Sequence, residues 1–294
     1  MSYDLWFRTR NGSSLDPQAL TDYFQQRPNY QVAKGQAIYE SDATGVYFIF
    51  DIGDPEVEDQ PGLAPLAFNL NYMRPHIFGL EAEPELRALC EQFGLLVSDP
   101  QIDGMGEGEF STEKFLSGWN AGNEMGYRAY LKEKLAEEVF SLPTPQIEAC
   151  WRWNMAKDAL QEAFGESVFV PKLFFLRHGD SVKSAVAWPD GIPIAMPDSN
   201  LIAIQRKDIL PKRFLFSRED FVIAERAEIE AVLQEFPLEH GAQPYRLLNY
   251  EAPPESVIAC LRSLTPTKEK PEAVSMDRIL NAELVALATK KKDE

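Results

Sequence analysis

The chain has 294 residues, 45% of them apolar and 26% charged, which is typical of a globular protein with a sizeable core. Its 29 Lys and Arg residues stand against 46 Asp and Glu residues, giving a net charge of −17. This charge disfavours binding to nucleic acid or to an anionic membrane and speeds association with a basic partner, although acidity can also serve solubility alone.

The start of the chain and its cysteines point to the cytoplasm. MSYDLWFRTR has no basic region followed by an apolar stretch, so we expect no signal peptide. No apolar run approaches the roughly 18 residues that a membrane span needs. Cys90, Cys150 and Cys260 are odd in number and far apart, which predicts reduced thiols without a disulfide or metal site.

Residues 1–110 are predicted to form an N-terminal α+β domain. YDLWFR alternates as a strand, and Asp16-Pro17 opens a helix. A second helix is expected to begin near Pro84 and to end at Gly94. The remaining predicted strands are YQVAKGQAIYES, GVYFIFDIG, LAPLAFNLNYM and LLVSDPQ.

Residues 111–165 are predicted to form a helical connector. Gly118, Gly122 and Gly126 lie four residues apart in its first helix, so one face is bare backbone. Either a neighbouring element packs very close to this face, or the helix breaks there. Thr144 and Pro145 are expected to begin the second helix.

Residues 166–264 are predicted to form a C-terminal α/β domain, and residues 265–294 a linker with a terminal amphipathic helix. ESVFVPKLFFLRHG, SVKSAVAW and SNLIAIQR are expected strands, and SREDFVIAERAEIEAVLQEF is an expected helix. PYRLLNYEA follows as a strand and PPESVIACLRSL as a helix. The predicted fold is α/β of the α+β type, with two mixed-sheet units joined by a helical segment.

The stretch LFFLRHGDS (173–181) resembles the start of the histidine phosphatase and phosphoglycerate mutase family. The resemblance implies that His178 is the nucleophile and that Arg177 holds a phosphate. However, the strand pattern SVKSAVAW follows directly, which favours a β-hairpin with Gly179-Asp180 in its turn. The family usually has Glu or Gln where this chain has Asp180, and His240 follows no strand.

Two acidic stretches are the candidate binding residues. The first, DIGDPEVEDQPG, contributes Asp51, Asp54, Glu56, Glu58 and Asp59. The second, DGMGEGEF, contributes Asp103, Glu107 and Glu109. Three interpretations of these stretches are open. Paired carboxylates can hold a divalent cation, and an acidic loop can contact a basic protein. They can also be solvated loops, because Asp is common in loops in any case. The second stretch could also be only a linker. No motif predicts a cofactor, a metal site or a catalytic residue.

Two motifs carry a second resemblance. MSYDLWF resembles the MSYDLYF-type start of many small bacterial proteins, several of them toxin-immunity partners. FGLLVSDPQ at 93–101 is similar to the GLVxYDPQ element that often ends their first domain. With its acidity and two-part layout, the chain resembles the immunity proteins of type VI secretion effectors, in particular those that neutralise TseT-type nucleases. The resemblance implies binding without catalysis.

We therefore expect a cytoplasmic, non-enzymatic inhibitor that occludes the substrate groove of a basic protein toxin, with the two acidic stretches in the contact. The alternative is a hydrolase that uses His178 with Arg177. A third possibility is a structural or regulatory interaction module without a toxin partner. The sequence leaves the oligomeric state open.

Overall fold

A computed structural model describes residues 1–53, 63–101, 104–132, 140–210, 220–268 and 271–289. Helices and sheets alternate irregularly along them, which confirms the α+β class. The chain divides into two compact units. Unit 1 contains residues 1–144 and 276–294, and unit 2 contains residues 145–275. Across the described residues, every helix is too short or too polar to cross a membrane.

Unit 1 contains an antiparallel sheet with the strand order β2-β3-β4-β5-β1-β6-β7. Its strands are β1 (Ser2–Thr9), β2 (Tyr30–Ala33), β3 (Gln36–Glu40), β4 (Tyr47–Ile52), β5 (Leu63–Asn71), β6 (Leu95–Asp99) and β7 (Gly106–Gly108). Strand β1 pairs with both β5 and β6, and Tyr3, Leu5 and Phe7 on its inner face are fully buried. The alternation in YDLWFR therefore marks a strand with one face in the core.

The helices of unit 1 are α1 (Pro17–Gln25), α2 (Ile77–Phe93), α3 (Thr112–Lys132) and, at the end of the chain, α7 (Ala282–Thr289). Helix α1 begins as predicted, because the Asp16 carboxylate accepts a hydrogen bond from the backbone N–H of Gln18. The predicted start of α2 near Pro84 is wrong. The helix begins two turns earlier, where Ile77 and Phe78 are fully buried, so core packing tolerates the internal proline.

The predicted strand YQVAKGQAIYES is a hairpin instead. Lys34 and Gly35 both have positive φ, at 54° and 77°, and form the two-residue turn between β2 and β3. Two consecutive left-handed residues match the twist of a tight hairpin. The apolar alternation runs through both strands and hides the turn.

Two of the three glycines on one face of α3 pack against a single aromatic residue, Tyr72. The helix is unbroken from Thr112 to Lys132, and a Cβ added at Gly122 would lie 2.2 Å from the Tyr72 hydroxyl oxygen. Tyr72 stacks on Trp119, with ring centroids 5.4 Å apart. The close-packing alternative is therefore the correct one for Gly122 and Gly126.

Unit 1 is closed by the end of the chain. Strand β17 (Ile279–Asn281) pairs in parallel with β8 (Phe140–Leu142). The buried Asn281 side chain accepts from the backbone N–H of His76 at 2.8 Å and donates to Thr144 Oγ1 at 2.8 Å. The predicted terminal helix is correspondingly shorter, because residues 276–281 form a 3-10 turn and β17 before α7 begins.

Unit 2 contains a mixed five-stranded sheet, β13-β12-β10-β9-β16, and a three-stranded sheet, β11-β15-β14. Its strands are β9 (Leu173–His178), β10 (Ser181–Ala187), β11 (Ile194–Pro197), β12 (Leu201–Arg206), β13 (Asp220–Glu225), β14 (Leu238–His240), β15 (Pro244–Leu248) and β16 (Glu272–Val274). Its helices are α4 (Thr144–Phe164), α5 (Arg226–Leu233) and α6 (Glu255–Ser263).

The predicted helix SREDFVIAERAEIEAVLQEF is wrong at residues 220–225. Residues 220–225 form β13, in which Val222 and Ala224 are buried while Phe221 is exposed. Helix α5 begins only at Arg226, where Glu225 and Glu228 form a capping box. The segment DFVIAE satisfies the helical and the strand period equally, and pairing with β12 decides between them.

A buried ion pair connects the five-stranded sheet to α6. Arg206 is 2% exposed; its Nε and Nη2 donate to the two carboxylate oxygens of Asp220 at 2.7 and 3.0 Å. Its Nη1 donates to the carbonyls of Leu261 and Leu264 at 2.6 and 2.9 Å. The guanidinium thus holds β12, β13 and the end of α6 together through four hydrogen bonds.

The two units do not follow the predicted boundaries at 110, 165 and 264. The predicted connector is divided, with α3 in unit 1 and α4 in unit 2, and the last residues return to unit 1. The physical reason is the β8–β17 pairing, because it joins segments that the sequence pattern assigns to separate regions.

We predict that Gly122→Ala destabilises the protein. Helix propensity alone would stabilise the variant by about 1 kcal/mol. The new methyl group collides with Tyr72, which is held by its stack on Trp119, and such overpacking costs about 1–3 kcal/mol. Urea unfolding followed by circular dichroism tests this, with Ser117→Ala at an exposed site of α3 as control. A stabilised Gly122→Ala would contradict the packing.

We predict that Arg206→Met lowers the free energy of unfolding by about 3 kcal/mol, because it leaves Asp220 and two carbonyls without their donor. Arg152→Met removes an exposed ion pair to Glu148 and should cost below about 1 kcal/mol. Equal losses in the two variants, measured by urea unfolding, would refute a structural role for the Arg206 pair.

Candidate functional site

The first acidic stretch begins at the end of β4. Asp51 is half-buried, and its carboxylate accepts a hydrogen bond from Gln36 Nε2 at 2.8 Å. The other predicted residues of this stretch, Asp54, Glu56, Glu58 and Asp59, lie outside the described residues. Asp51 is thus partly engaged by its neighbouring strand before any partner arrives.

The second acidic stretch lies at β7, the edge strand of the same sheet. Glu107 is exposed on β7, whereas Asp103 lies outside the described residues. Glu109 is 71% exposed and forms an ion pair with Arg10 at 2.9 Å. Such an exposed pair contributes little to stability, so Glu109 can exchange Arg10 for another cation at small cost.

The two stretches do not form one cluster. Strands β4 and β7 are separated by β5, β1 and β6, so Asp51 and Glu107 are four strand spacings apart, or roughly 19 Å across the sheet. A typical interface of about 800 Å² per partner can cover that distance. One partner could therefore contact both stretches, but a single cation could not bridge them.

Arg177 and His178 lie where β9 meets its hairpin turn. His178 pairs with Ser181, and Gly179-Asp180 form the turn to β10, which confirms the predicted hairpin. His178 Nε2 is 3.3 Å from Glu225 Oε1, and the same oxygen accepts from Lys183 Nζ at 2.6 Å. Arg177 contacts Glu272 on β16 at 3.4 Å.

A cavity of 550 Å³ opens beside this hairpin. Its floor is formed by Leu176, Leu201 and Ile223, which share one face of the five-stranded sheet, and its rim includes Arg177 and His178. No sequence motif singles out the three floor residues. Ile223 lies on the face of β13 opposite to the buried Val222 and Ala224, so burial alternation does not mark it, and only the strand order brings the three residues to one place.

The chemistry of this rim differs from that of a phosphohistidine site. The two basic side chains on the rim already face carboxylates, Glu225 for His178 and Glu272 for Arg177, at half-exposed positions. His178 is the one histidine among the described residues that line the cavity. A phosphate would have to displace Glu225 and Glu272 from these contacts, against their like charge.

The two motifs behind the immunity-protein resemblance meet in the core of unit 1. The Tyr3 hydroxyl of MSYDLWF donates to the Asp99 carboxylate of SDPQ at 2.5 Å. Asp99 also accepts from the backbone N–H groups of Gln101 and Met105 at 3.0 and 2.7 Å. These motif residues join β1 to β6 and fix the following turn, so their observed role is structural.

Within the described residues, no group of three or more His, Cys, Asp or Glu side chains is placed to hold a metal ion. All three cysteines are free thiols; Cys90 and Cys150 are buried, and Cys260 is partly exposed. Burial raises the pKa of the Cys90 and Cys150 thiols to about 12, which keeps them protonated and unreactive at neutral pH.

Comparison of the chain with protein families, with curated proteins and with solved structures finds no match. Function can therefore be inferred only from the residues of the chain and from its two short motifs.

We predict that Tyr3→Phe lowers the free energy of unfolding by about 1–2 kcal/mol, because Asp99 loses a buried donor. Burial and the bond to Asp99 raise the pKa of Tyr3 above the usual tyrosine value of about 10. A raised pKa means that its contribution is complete below pH 10 and is lost as the pH rises beyond it.

Urea unfolding of wild type and Tyr3→Phe between pH 8 and pH 11 measures this difference. The stability of the two proteins should converge above about pH 10, where the wild type loses the contribution of Tyr3. A gap that stays constant over the whole range would contradict the assignment.

Proposed function

We propose that the protein is a cytoplasmic, non-enzymatic binding protein that neutralises a cognate basic protein toxin, of the kind delivered by type VI secretion. The observation that carries the proposal is the net charge of −17, together with acidic side chains at two places on one sheet of unit 1. A nuclease toxin needs a basic groove for its substrate, and an acidic surface competes for that groove directly.

The mechanism would be occlusion, with charge and contact area in separate roles. Long-range attraction speeds the encounter, while close packing sets how slowly the complex dissociates. Glu107 is exposed and Glu109 has only an exposed partner, so both can turn towards a partner without breaking the fold. Asp51 would have to share its carboxylate with Gln36.

A pull-down from native lysate with the tagged chain, followed by mass spectrometry, tests the proposal. We expect to recover one basic protein in an amount near that of the tagged chain. Cells that express the recovered protein should survive only when the chain is co-expressed. Recovery of no basic partner, or a recovered partner that is harmless when expressed alone, would overturn the proposal.

Charge reversal in the first acidic stretch tests the predicted contact. Asp54→Lys/Glu58→Lys should slow association with the recovered partner by about tenfold at low salt and change dissociation much less. The matched control is Glu40→Lys/Glu91→Lys, which makes the same charge change at two exposed residues. Stopped-flow association rates measure both variants, and equal slowing would exclude a specific role for this stretch.

The alternative function is a hydrolase of histidine-phosphatase type, and the cavity beside Arg177 and His178 is the observation that favours it. His178→Ala distinguishes the two functions. The proposed binding protein keeps its affinity for the partner in this variant, whereas a hydrolase loses all turnover of a phosphatase substrate panel. Turnover by the wild type that disappears in His178→Ala would establish the alternative.

A further inference from the structure

A second cavity in unit 2, of 730 Å³, has a different chemical character. It lies where the turn after α4, the start of β11 and the end of β15 come together. Strands β11 and β15 pair antiparallel, with Ile194 opposite Leu248, and Phe169 bridges to Ile194 from the other side. Three segments that are distant in sequence are thereby fixed around one opening.

The walls of this cavity are held by hydrogen bonds within the protein. Gln161 Nε2 donates to the carbonyls of Gly165 and Val168, and its Oε1 accepts from the N–H of Val170 at 2.8 Å. These bonds fasten the turn after α4 to the helix. A ligand would therefore meet walls that are already ordered and would spend little free energy on ordering them.

The opposite wall is fastened in the same way. The Tyr250 hydroxyl donates to the carbonyl of Gly191 at 2.5 Å, and Trp188 Nε1 donates to the carbonyl of Ile192 at 2.8 Å. The Tyr250 ring and the Ile192 side chain thus present fixed apolar surface to the cavity.

Two carboxylates at this cavity have no hydrogen-bond or ion-pair partner among the described residues. Glu166 and Glu251 both line it and are exposed. No Lys or Arg is among the described lining residues. The cavity therefore combines ordered apolar and aromatic walls with two negative charges that nothing described in the chain neutralises.

We propose that this cavity receives an arginine or lysine side chain from a basic partner protein. The apolar stem of such a side chain packs on Phe169 and Ile192, and its cationic head pairs with Glu166 or Glu251 near the Tyr250 ring. An anionic ligand would be repelled by both carboxylates. Charge complementarity thus selects the occupant.

This inference rests on the proposed function for the identity of the partner, since a basic toxin would supply the side chain. It adds a contact in unit 2 to the acidic stretches of unit 1. The cavity itself can be tested without the toxin, because the chemistry of a cationic side chain can be presented on a short peptide.

The experiment is an NMR titration of the full-length chain with the peptide acetyl-Gly-Arg-Gly-Arg-Gly-amide. We expect saturable shifts of the backbone amide signals of Phe169, Ile192 and Tyr250. Glu166→Gln/Glu251→Gln should raise the Kd about tenfold, because each exposed ion pair contributes modestly. Both residues are exposed, so the fold should be unaffected by these substitutions.

Two controls separate the cavity from the general acidity of the chain. Glu40→Gln/Glu91→Gln makes the same charge change on exposed residues of unit 1 and should leave the Kd within about twofold. A peptide with citrulline in place of arginine keeps the shape without the charge and should not saturate. Equal weakening in both double variants, shifts elsewhere only, or saturation by the citrulline peptide would overturn the proposal.

The toxin pull-down, repeated with Glu166→Gln/Glu251→Gln, separates this inference from the proposed function. If the peptide binds at the cavity but no toxin is recovered, the cavity proposal is supported and the proposed function is overturned. If a toxin is recovered and its Kd is the same for wild type and variant, the proposed function is supported, but the cavity is not part of the interface. A toxin bound about tenfold more weakly by the variant supports both.

Discussion

The return of the chain end through Asn281 is the contact on which the organisation of the molecule depends. This buried amide joins the start of α2 to the first residue of α4 by hydrogen bonds to His76 and Thr144. A buried polar group without a hydrogen-bond partner is costly, so the segments that contain His76, Thr144 and Asn281 are expected to come together cooperatively. Because β17 lies beside β8, unit 2 is inserted between two paired strands of unit 1.

The acidic side chains of this protein fall into two populations with different physical roles. Asp99 and Asp220 are largely buried, and each accepts two or more hydrogen bonds from its own unit. Glu107, Glu166 and Glu251 face solvent and have no such partners among the residues that the structure describes. The first population maintains the fold, while the second is available to a ligand. Net charge alone does not distinguish the two.

Sequence patterns identified the elements in which one period dominates. The alternation of β1, the hairpin of β9 and β10, and the Asp16 cap of α1 are all recovered in the structure. They failed where two periods coincide, as at Phe221, or where packing overrides a local signal, as at Pro84. Tertiary contacts determine the structure at these two positions, and the neighbouring sequence does not show which contacts will form.

The candidate sites show the same limit more strongly. The acidic stretch around Asp51 is visible because its carboxylates are neighbours in sequence. Glu166 and Glu251 belong to separate turns and share a cavity only because β11 pairs with β15. Their sequence surroundings are ordinary turn residues, so no motif links them. Such sites emerge from strand order, which composition and spacing do not determine.

The insertion of unit 2 also sets an order of events during synthesis. Strand β17 spans residues 279–281, so the ribosome must make residues 143–278 after β8 before the two strands can pair. The residues of unit 2 have all been made before that point. Because domains fold as units while the chain emerges, unit 2 can complete its sheets first. The edge of β8 thus stays unpaired longest in the newborn chain, and an unpaired strand edge is a site where aggregation can begin.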